Sequence, residues 1–468
     1  MKIMRKNKEI ITIVSLLLLF LIIEVCAAEQ LTLEEVIELG LQSNNELRNY
    51  QEAISILERE LALIKAKENW QVKLETDYTK TYEDGELISN NTLGGNKIDL
   101  GISKNFSSGL SINLKIAIEE GELQTDMFIS ISQQILPAVP TSLSKQNYEV
   151  TKNLIKAREN YRQQKVDKVL TWFDSYLNLC RMIEKREIYE QDLNNAQKNK
   201  KEVMAAQEIG EAGKQQVLTA ELSVKEAEYR LKEINTQIDQ AEFTLYQEIG
   251  LTDMQNISIK ADSPFINEIN KNAEEIVNKY INMANLLEVA EQNSYELLAN
   301  KIDQEILAEQ LEWLEKEDSI NLNLTASYDT AQEQFNAGLN LYYQFYDGGQ
   351  HNITCADKEA EIDSKTADYN DLYNNLKLKL KQSIDDINLN ILQLEKEKIK
   401  LTRGEYEADT ARQQYVIGLI DYLEYQETWL ESKEAELNIN TIKDQLLISW
   451  LKLIKLVNID ELTGRILK

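Results

Sequence analysis

Proline is nearly absent from this chain: 3 residues in 468, alongside 16 glycines. Chain-breaking residues are therefore scarce. Long uninterrupted elements are expected in place of the several compact domains that length alone would suggest. Histidine occurs once, as His351, which excludes paired-histidine catalysis and a multi-histidine metal site. The 3 cysteines cannot build a disulfide framework or a four-cysteine zinc site. Positive charge is in deficit, with 51 Lys and Arg against 79 Asp and Glu and a formal net charge of −28. Nucleic acid, which needs a basic face, is not an expected partner. Neither a Gly-rich phosphate loop nor a nucleophile–base pair nor a metal-ligand spacing is visible, so no enzyme activity and no cofactor are expected. What remains is 43% hydrophobic and 28% charged, too apolar for a disordered chain.

The first residues address the compartment. Lys2, Arg5, Lys6 and Lys8 precede a mostly apolar run from Ile10 to Ile23, and Cys26, Ala27 and Ala28 supply small residues for cleavage. This is the layout of a secretory signal peptide over residues 1–28, and its apolar run is shorter than the roughly 20 residues of a spanning helix. An uncleaved anchor is the competing reading. A lipoprotein would want a small residue before Cys26, where Val25 stands. No later segment reaches transmembrane-helix length without charges. The mature chain is then soluble outside the cytoplasm, or it enters a membrane as β-strands.

Along the mature chain one plan occurs twice, as a first repeat over residues 29–250 and a second over residues 271–468, joined by a linker at 251–270 that contains Pro264. Each repeat opens with a helical pattern, led in the first by Leu33, Val36, Ile37 and Leu41. The period then falls from 3.6 to 2. In the first repeat, over about 71–136, four runs alternate: Val72 and Leu74; Ile98, Leu100 and Ile102; Ile112, Leu114 and Ile116; Ile129, Ile131 and Ile135. In the second, over about 319–346, two do so: Ile320, Leu322 and Leu324, then Phe335, Leu339, Leu341, Tyr343 and Phe345. Runs of about ten residues fit tilted strands crossing a bilayer. The apolar parity, including Ile112, Leu114, Ile116, Leu339, Leu341 and Tyr343, is expected to face lipid.

Pro137 and Pro140 end the strands of the first repeat, and Gly348 and Gly349 those of the second. Long helices follow, at 141–206 and 214–250 and again at 350–416 and 419–457, with Gly210 and Gly418 at the breaks. Val217, Ala220, Val224, Ala227, Leu231, Ile234, Ile238, Ala241 and Leu245 alternate three and four apart, a coiled-coil seam. A helix of about 65 residues is roughly 100 Å long. A single core has no need of that length; a structure that crosses a distance does. Cys180, about 40 residues into its helix, and Cys355, about seven into its own, are expected not to pair: at 1.5 Å per residue their axial offset is roughly 50 Å.

Several local motifs resemble the TolC family of outer-membrane efflux channels. The opening Leu31-Thr32-Leu33-Glu34-Glu35-Val36-Ile37-Glu38-Leu39-Gly40-Leu41 is similar to the family's first helix. Ser130-Ile131-Ser132-Gln133-Gln134-Ile135-Leu136-Pro137 and Leu341-Tyr342-Tyr343-Gln344-Phe345-Tyr346-Asp347-Gly348-Gly349 resemble its two strand-to-helix crossings. Tyr415-Val416-Ile417-Gly418-Leu419-Ile420-Asp421-Tyr422-Leu423-Glu424 resembles its periplasmic tip, with Gln207-Glu208-Ile209-Gly210 as a weaker partner.

The resemblance implies an α+β membrane protein with two unequal internal repeats. It implies a homotrimer whose outer-membrane β-barrel, in contact with lipid, continues into a long α-helical coiled-coil tunnel in the periplasm. The implied function is a passive exit duct of a tripartite efflux system, docked to a periplasmic adaptor and an inner-membrane pump. An outer-membrane component of type I protein secretion uses the same fold, and a secreted structural coiled coil is the reading from another class. Around the tip, Tyr415, Gly418, Glu424 and Glu427 are the implied gate. The two acids stand where the family places its constriction carboxylates, although solvated helix acids would look the same. Ile420 replaces a basic residue often found there, so closure is expected to lean on packing by Tyr415, Ile420 and Tyr422. The usual member supplies four strands per chain, twelve in all. The runs counted here leave open twelve strands with an extra hairpin, or eighteen.

Overall fold

A computed structural model describes residues 29–77, 82–83, 86–87, 97–119, 125–251, 257–260, 266 and 283–457. The signal-peptide reading at 1–28 and most of the linker lie outside these. The chain forms two compact units. The first comprises Met1–Arg48, Arg162–Ser294 and Asn375–Lys468; the second comprises Asn49–Tyr161 and Tyr295–Asn374.

The helices follow the repeated plan. The first repeat holds α1 (Leu33–Ser43), α2 (Asn45–Lys67), α3 (Ser142–Glu208) and α4 (Lys214–Glu248). The second holds α5 (Met283–Asn293), α6 (Tyr295–Glu317), α7 (Gln350–Val416) and α8 (Tyr422–Val457). Their lengths match pair by pair: 11 and 11, 23 and 23, 67 and 67, 35 and 36 residues. Among the described residues the opening helical stretch of each repeat is broken at Asn44 and at Ser294. Asn44 breaks it by capping. Its Oδ1 accepts from the Leu47 amide at 3.0 Å, and its Nδ2 donates to the Glu248 carbonyl at 2.7 Å. Among the described residues no helix is long and apolar enough to cross a membrane.

In the first unit, α1 begins with a capping box. Thr32 Oγ1 accepts from the Glu35 amide at 3.3 Å, and Glu35 accepts from the Thr32 amide at 2.7 Å. Ahead of it β1 (Glu29–Leu31) pairs in parallel with β8 (Ile257–Ile259). The core is built from α3, where Trp172, Phe173, Tyr176, Leu177 and Cys180 are fully buried, and from α8, with Ile442, Leu447 and Leu451. Gly40 leaves room for the indole of Trp172: a Cβ there would sit 2.5 Å from the ring. Gly40→Ala is therefore expected to destabilise the protein by about 1–3 kcal/mol, as overpacking does, measurable by thermal melting. Arg181 joins α3 to α8 through Asp444 at 2.7 Å. Cys180 and Cys355 are both free, and burial pushes the Cys180 thiol up to about 12. On α4 the heptad seam faces inward, with Ala220, Val224, Ala227, Ile234, Ile238 and Leu245 buried.

The second unit contains the sheet. Its strands are β2 (Gln71–Asp77), β5 (Lys97–Asn105), β6 (Leu110–Glu119), β7 (Thr125–Leu136), β9 (Asn321–Asp329) and β10 (Gln334–Tyr342). A two-residue pair, β3 (Tyr82–Glu83) with β4 (Glu86–Leu87), stands apart. The six strands form one antiparallel sheet in the order β10-β9-β7-β6-β5-β2, so the two repeats meet at β7 and β9. The alternation read from sequence through Phe345 stops pairing at Tyr342, so Tyr343 lies beyond the ladder.

The register carries one apolar face across all six strands. Val72 pairs with Ile102, Ile102 with Leu114, Leu114 with Ile129, Ile129 with Tyr328 and Tyr328 with Phe335. One row along, Leu74, Leu100, Ile116 and Met127 follow each other in the same way. On the opposite parity Ser103, Asn113, Ser130 and Ser327 form a polar row that ends at Asn336. An ion pair, Lys115 with Asp99 at 2.7 Å, lies on that polar face. Toward both edges the apolar side chains are exposed, with Leu341 at 63% and Val72 at 68%, and in the middle of the sheet Leu100, Ile102, Leu114 and Ile116 are half-buried, with none of the face fully buried. A soluble β-domain buries such a face. An exposed one of this extent marks contact with lipid or protein.

Candidate functional site at the helical tip

The tip is made by the turn between α7 and α8. Gly418 has φ of +75°, and the turn closes as a Schellman cap: the Leu419 amide donates to the Gln414 carbonyl at 2.8 Å, and the Gly418 amide to Tyr415 at 2.9 Å. Gly210, φ +80°, ends α3 with the same pair of bonds, Glu211 to Ala206 and Gly210 to Gln207. The weaker sequence motif of the first repeat thus builds the same turn. Gly418→Ala puts a Cβ into a left-handed position at a cost of about 1–2 kcal/mol, so it is expected to lower the melting temperature without any side-chain clash, since a Cβ there meets nothing within 4 Å. Asp421 caps α8: its Oδ1 accepts from the Glu424 amide at 3.0 Å. That cap is why α8 starts at Tyr422, three residues later than the spacing from Gly418 suggests.

Tyr415 stacks on Tyr425 with centroids 5.4 Å apart and planes 9° from parallel, and Tyr422 meets both rings edge-on. Tyr422 also packs on Ala196, Val224 and Ala227. The Tyr415 hydroxyl donates to Asn199 Oδ1 at 3.4 Å. Burial raises both the Tyr415 and the Tyr422 phenol above the ordinary range. Tyr415 and Tyr422 therefore sit together within one chain. Ile420 lines a groove of about 440 Å³ with Arg403, Glu407, Glu424 and Glu431. Glu424 and Glu427 are both exposed on the first turns of α8.

The sequence reading missed a polar lock beside the tyrosines. Asp192 on α3 is completely buried. It accepts from Arg230 of α4 at 2.7 Å and from Gln426 of α8 at 2.5 Å, so one carboxylate ties three helices. The signal was present: Tyr189, Asp192, Ala196 and Asn199 are spaced 3, 4 and 3, and all four are buried. A seam position filled by an acid requires a partner, but the partner lies 38 residues away.

The strand-to-helix crossings differ in construction. In the first, the Leu136–Pro137 bond is cis, the Pro137 carbonyl accepts from Gln134 at 3.1 Å, and Thr141, next to Pro140, caps α3 through the Ser144 amide at 3.2 Å. In the second, Gly348 and Gly349 take φ of +75° and +88°. Asp347 accepts from the Gly349 amide at 2.7 Å and the His351 amide at 2.6 Å. Those donors, His351 first, hold the Asp347 carboxyl below its usual range. Its stabilising contribution is therefore present above the unfolded value near 4 and is lost as pH falls through the lower folded value. The protection of amides over residues 347–353, with each exchange rate divided by the intrinsic rate at that pH, is expected to fall on acidification below about pH 4, and to show no such fall in Asp347→Asn. His351 Nε2 lies 3.4 Å from Cys355 Sγ, and Asp347 bonds backbone rather than the imidazole, so these three residues do not form a catalytic relay.

Comparison with known proteins agrees with the motifs. Residues 286–458 match the family model described as outer membrane efflux protein. Among solved structures the chain is similar to CusC, with 12% identity, 91% of each chain covered and a TM-score of 0.65. It is similar to the CmeC outer membrane channel of Campylobacter jejuni, with 13% identity over 91% of this chain and 85% of that one and a TM-score of 0.64. It is also similar to the MtrE outer membrane channel of Neisseria gonorrhoeae, solved in an open state, with 10% identity, 91% and 88% covered and a TM-score of 0.64. No curated protein matches the chain in sequence. The resemblance to outer-membrane efflux channels is borne out: the second half carries an outer membrane efflux protein domain, and the helix-rich α+β fold is that of the solved channels.

Proposed function

We propose that the chain is a passive exit duct of the outer membrane, a homotrimer in which three sheets close one barrel and the long helices form a periplasmic tunnel. The observation that carries this reading is the sheet, apolar from edge to edge on one face, where no side chain is fully buried and those toward the edges are exposed, and largely polar on the other. Apolar residues left outside the helical core support the trimer. On α4 Leu222, Tyr229 and Phe243, and on α7 Leu378, Leu392, Ile399 and Tyr406, are exposed at multiples of seven, the spacing of further coiled-coil seams. The tip turns support docking to a periplasmic adaptor and through it to an inner-membrane pump. Ile209 of the first turn and Val416, Ile417 and Leu419 of the second are about 70% exposed, more than solvated helix ends require.

In this reading Glu424 and Glu427 of three chains form a ring that prefers cations, as acidic rings do in other pores. Their mutual repulsion would be relieved by a multivalent cation, which would then plug the duct. Glu424→Ala with Glu427→Ala is expected to weaken block by a trivalent cation about tenfold or more and to reduce cation preference in planar bilayers. Unchanged block and selectivity would make these two ordinary solvated acids and move the constriction elsewhere.

A further inference from the structure

We infer that the barrel closes with eighteen strands, through direct pairing of β2 of one copy with β10 of the next. The inference rests on the trimeric reading above and concerns how many strands each copy places in the wall.

Four observations carry it. First, the hairpin of β5 and β6 is an integral part of the sheet. Its two strands pair over 9 residues with each other, and β6 pairs over 9 with β7. Their apolar parity, Leu100 and Ile102 with Leu114 and Ile116, lies on the same face as Ile129 and Val72. A hairpin lying outside the wall or folded into the lumen would have no reason to share that face. Second, among the described residues each edge has a single neighbour, β5 for β2 and β9 for β10. The nine residues of β10 and the first six of β2 are all exposed. A long, flat apolar edge of this kind is an aggregation hazard unless something pairs with it. Third, the apolar face reaches both edges, with Val72 and Leu74 at one and Phe335, Leu339 and Leu341 at the other. A second copy can therefore continue both faces without a break. Fourth, six is an even number. With every neighbouring pair antiparallel, β2 and β10 run in opposite directions, so their pairing between copies is antiparallel too. The ladder then closes as membrane barrels do.

Three sheets of six give eighteen strands. At about 4.8 Å between strands and a tilt near 40°, the barrel is roughly 35 Å across, about half as wide again as one of twelve. Porin-sized barrels of that count hold an aqueous channel, whereas small ones fill with side chains. The outer-membrane part of this duct is then a wide polar exit lined by Asn113, Ser130 and Asn336, and passage is limited at the helical tip.

Paired cysteines in the full chain test this, in a Cys355→Ser background, after the mass of the detergent-extracted protein has been measured by light scattering. In the trimer, Asn113→Cys with Ser130→Cys, register partners on β6 and β7, is expected to oxidise to a bond within one chain. Lys73→Cys combined with Asn336→Cys, Gly338→Cys or Asn340→Cys is expected to give covalent dimers and trimers in at least one combination. Lys73→Cys with Ser130→Cys is expected to give no bond, because two strands separate them. A trimer in which Lys73→Cys does bond to Ser130→Cys would place β2 directly beside β7 and overturn the eighteen-strand wall while leaving the trimer intact. A monomer by mass would instead overturn the trimeric reading itself. Strand counting by electron microscopy on the unmodified trimer gives the same decision without substitutions: eighteen supports the inference and twelve overturns it.

Discussion

Arginine in place of Leu114 or Leu341 is expected to cost the assembled protein about 2–4 kcal/mol where the residue lies near the bilayer midplane, and less toward either interface. Both residues lie on the continuous apolar face, and no neighbouring strand offers either of them a carboxylate: Leu114 pairs with Ile102 and Ile129, and Leu341 with Leu322. In the proposed barrel a guanidinium there would face hydrocarbon with no carboxylate directly across the strand. Heat-resistant oligomer on gels is expected to fall sharply for each variant and to vanish for the pair. On the opposite face Asn113→Arg is expected to change assembly little, because in the proposed barrel that parity faces the aqueous lumen. If both apolar-face variants assembled as the parent does, the apolar face would not be the lipid face.

The second large effect is expected at Asp192. Asp192→Ala leaves the partly buried Arg230 without its acceptor and Gln426 without its own. Breaking a buried pair from one side costs about 3–5 kcal/mol, and Arg230, 28% exposed, sets the expectation at the lower end of that range. Since the carboxylate ties α3, α4 and α8 beside the tyrosine cluster, the loss is expected as early melting and as more frequent spontaneous opening in bilayers. Replacing the network as a whole, Asp192→Leu with Arg230→Met and Gln426→Leu, is expected to recover much of the stability, because apolar groups of similar size need no partner there. Recovery of stability without recovery of closure would assign the network to gating.

Much of this was legible in the sequence, and the reasons are local. A period of two needs only nearest neighbours, so the strands around Leu114 and Leu339 could be read directly. The seam of Ala220, Val224 and Ala227 follows from heptad spacing alone. Gly418 marked its turn because a left-handed position favours glycine. Long-range features escaped. Asn44 breaks a helix by capping, and nothing in its neighbours distinguishes it from a solvated asparagine. Gly40 is small because Trp172, distant in sequence, lies over it. Asp192 occupies a seam position that spacing alone could have flagged, but its meaning depends on Arg230 and Gln426, which only the packed helices bring to it. The strand count of four plus two was readable, whereas its arrangement in one sheet needed the register.

The most direct test of the central claim is single-channel recording from the full chain, extracted from membranes in detergent and added to a planar bilayer. The protein is expected to require detergent, to insert as a trimer and to conduct in discrete steps with a preference for cations. A chain that stays soluble and monomeric without detergent and leaves the bilayer silent would contradict it.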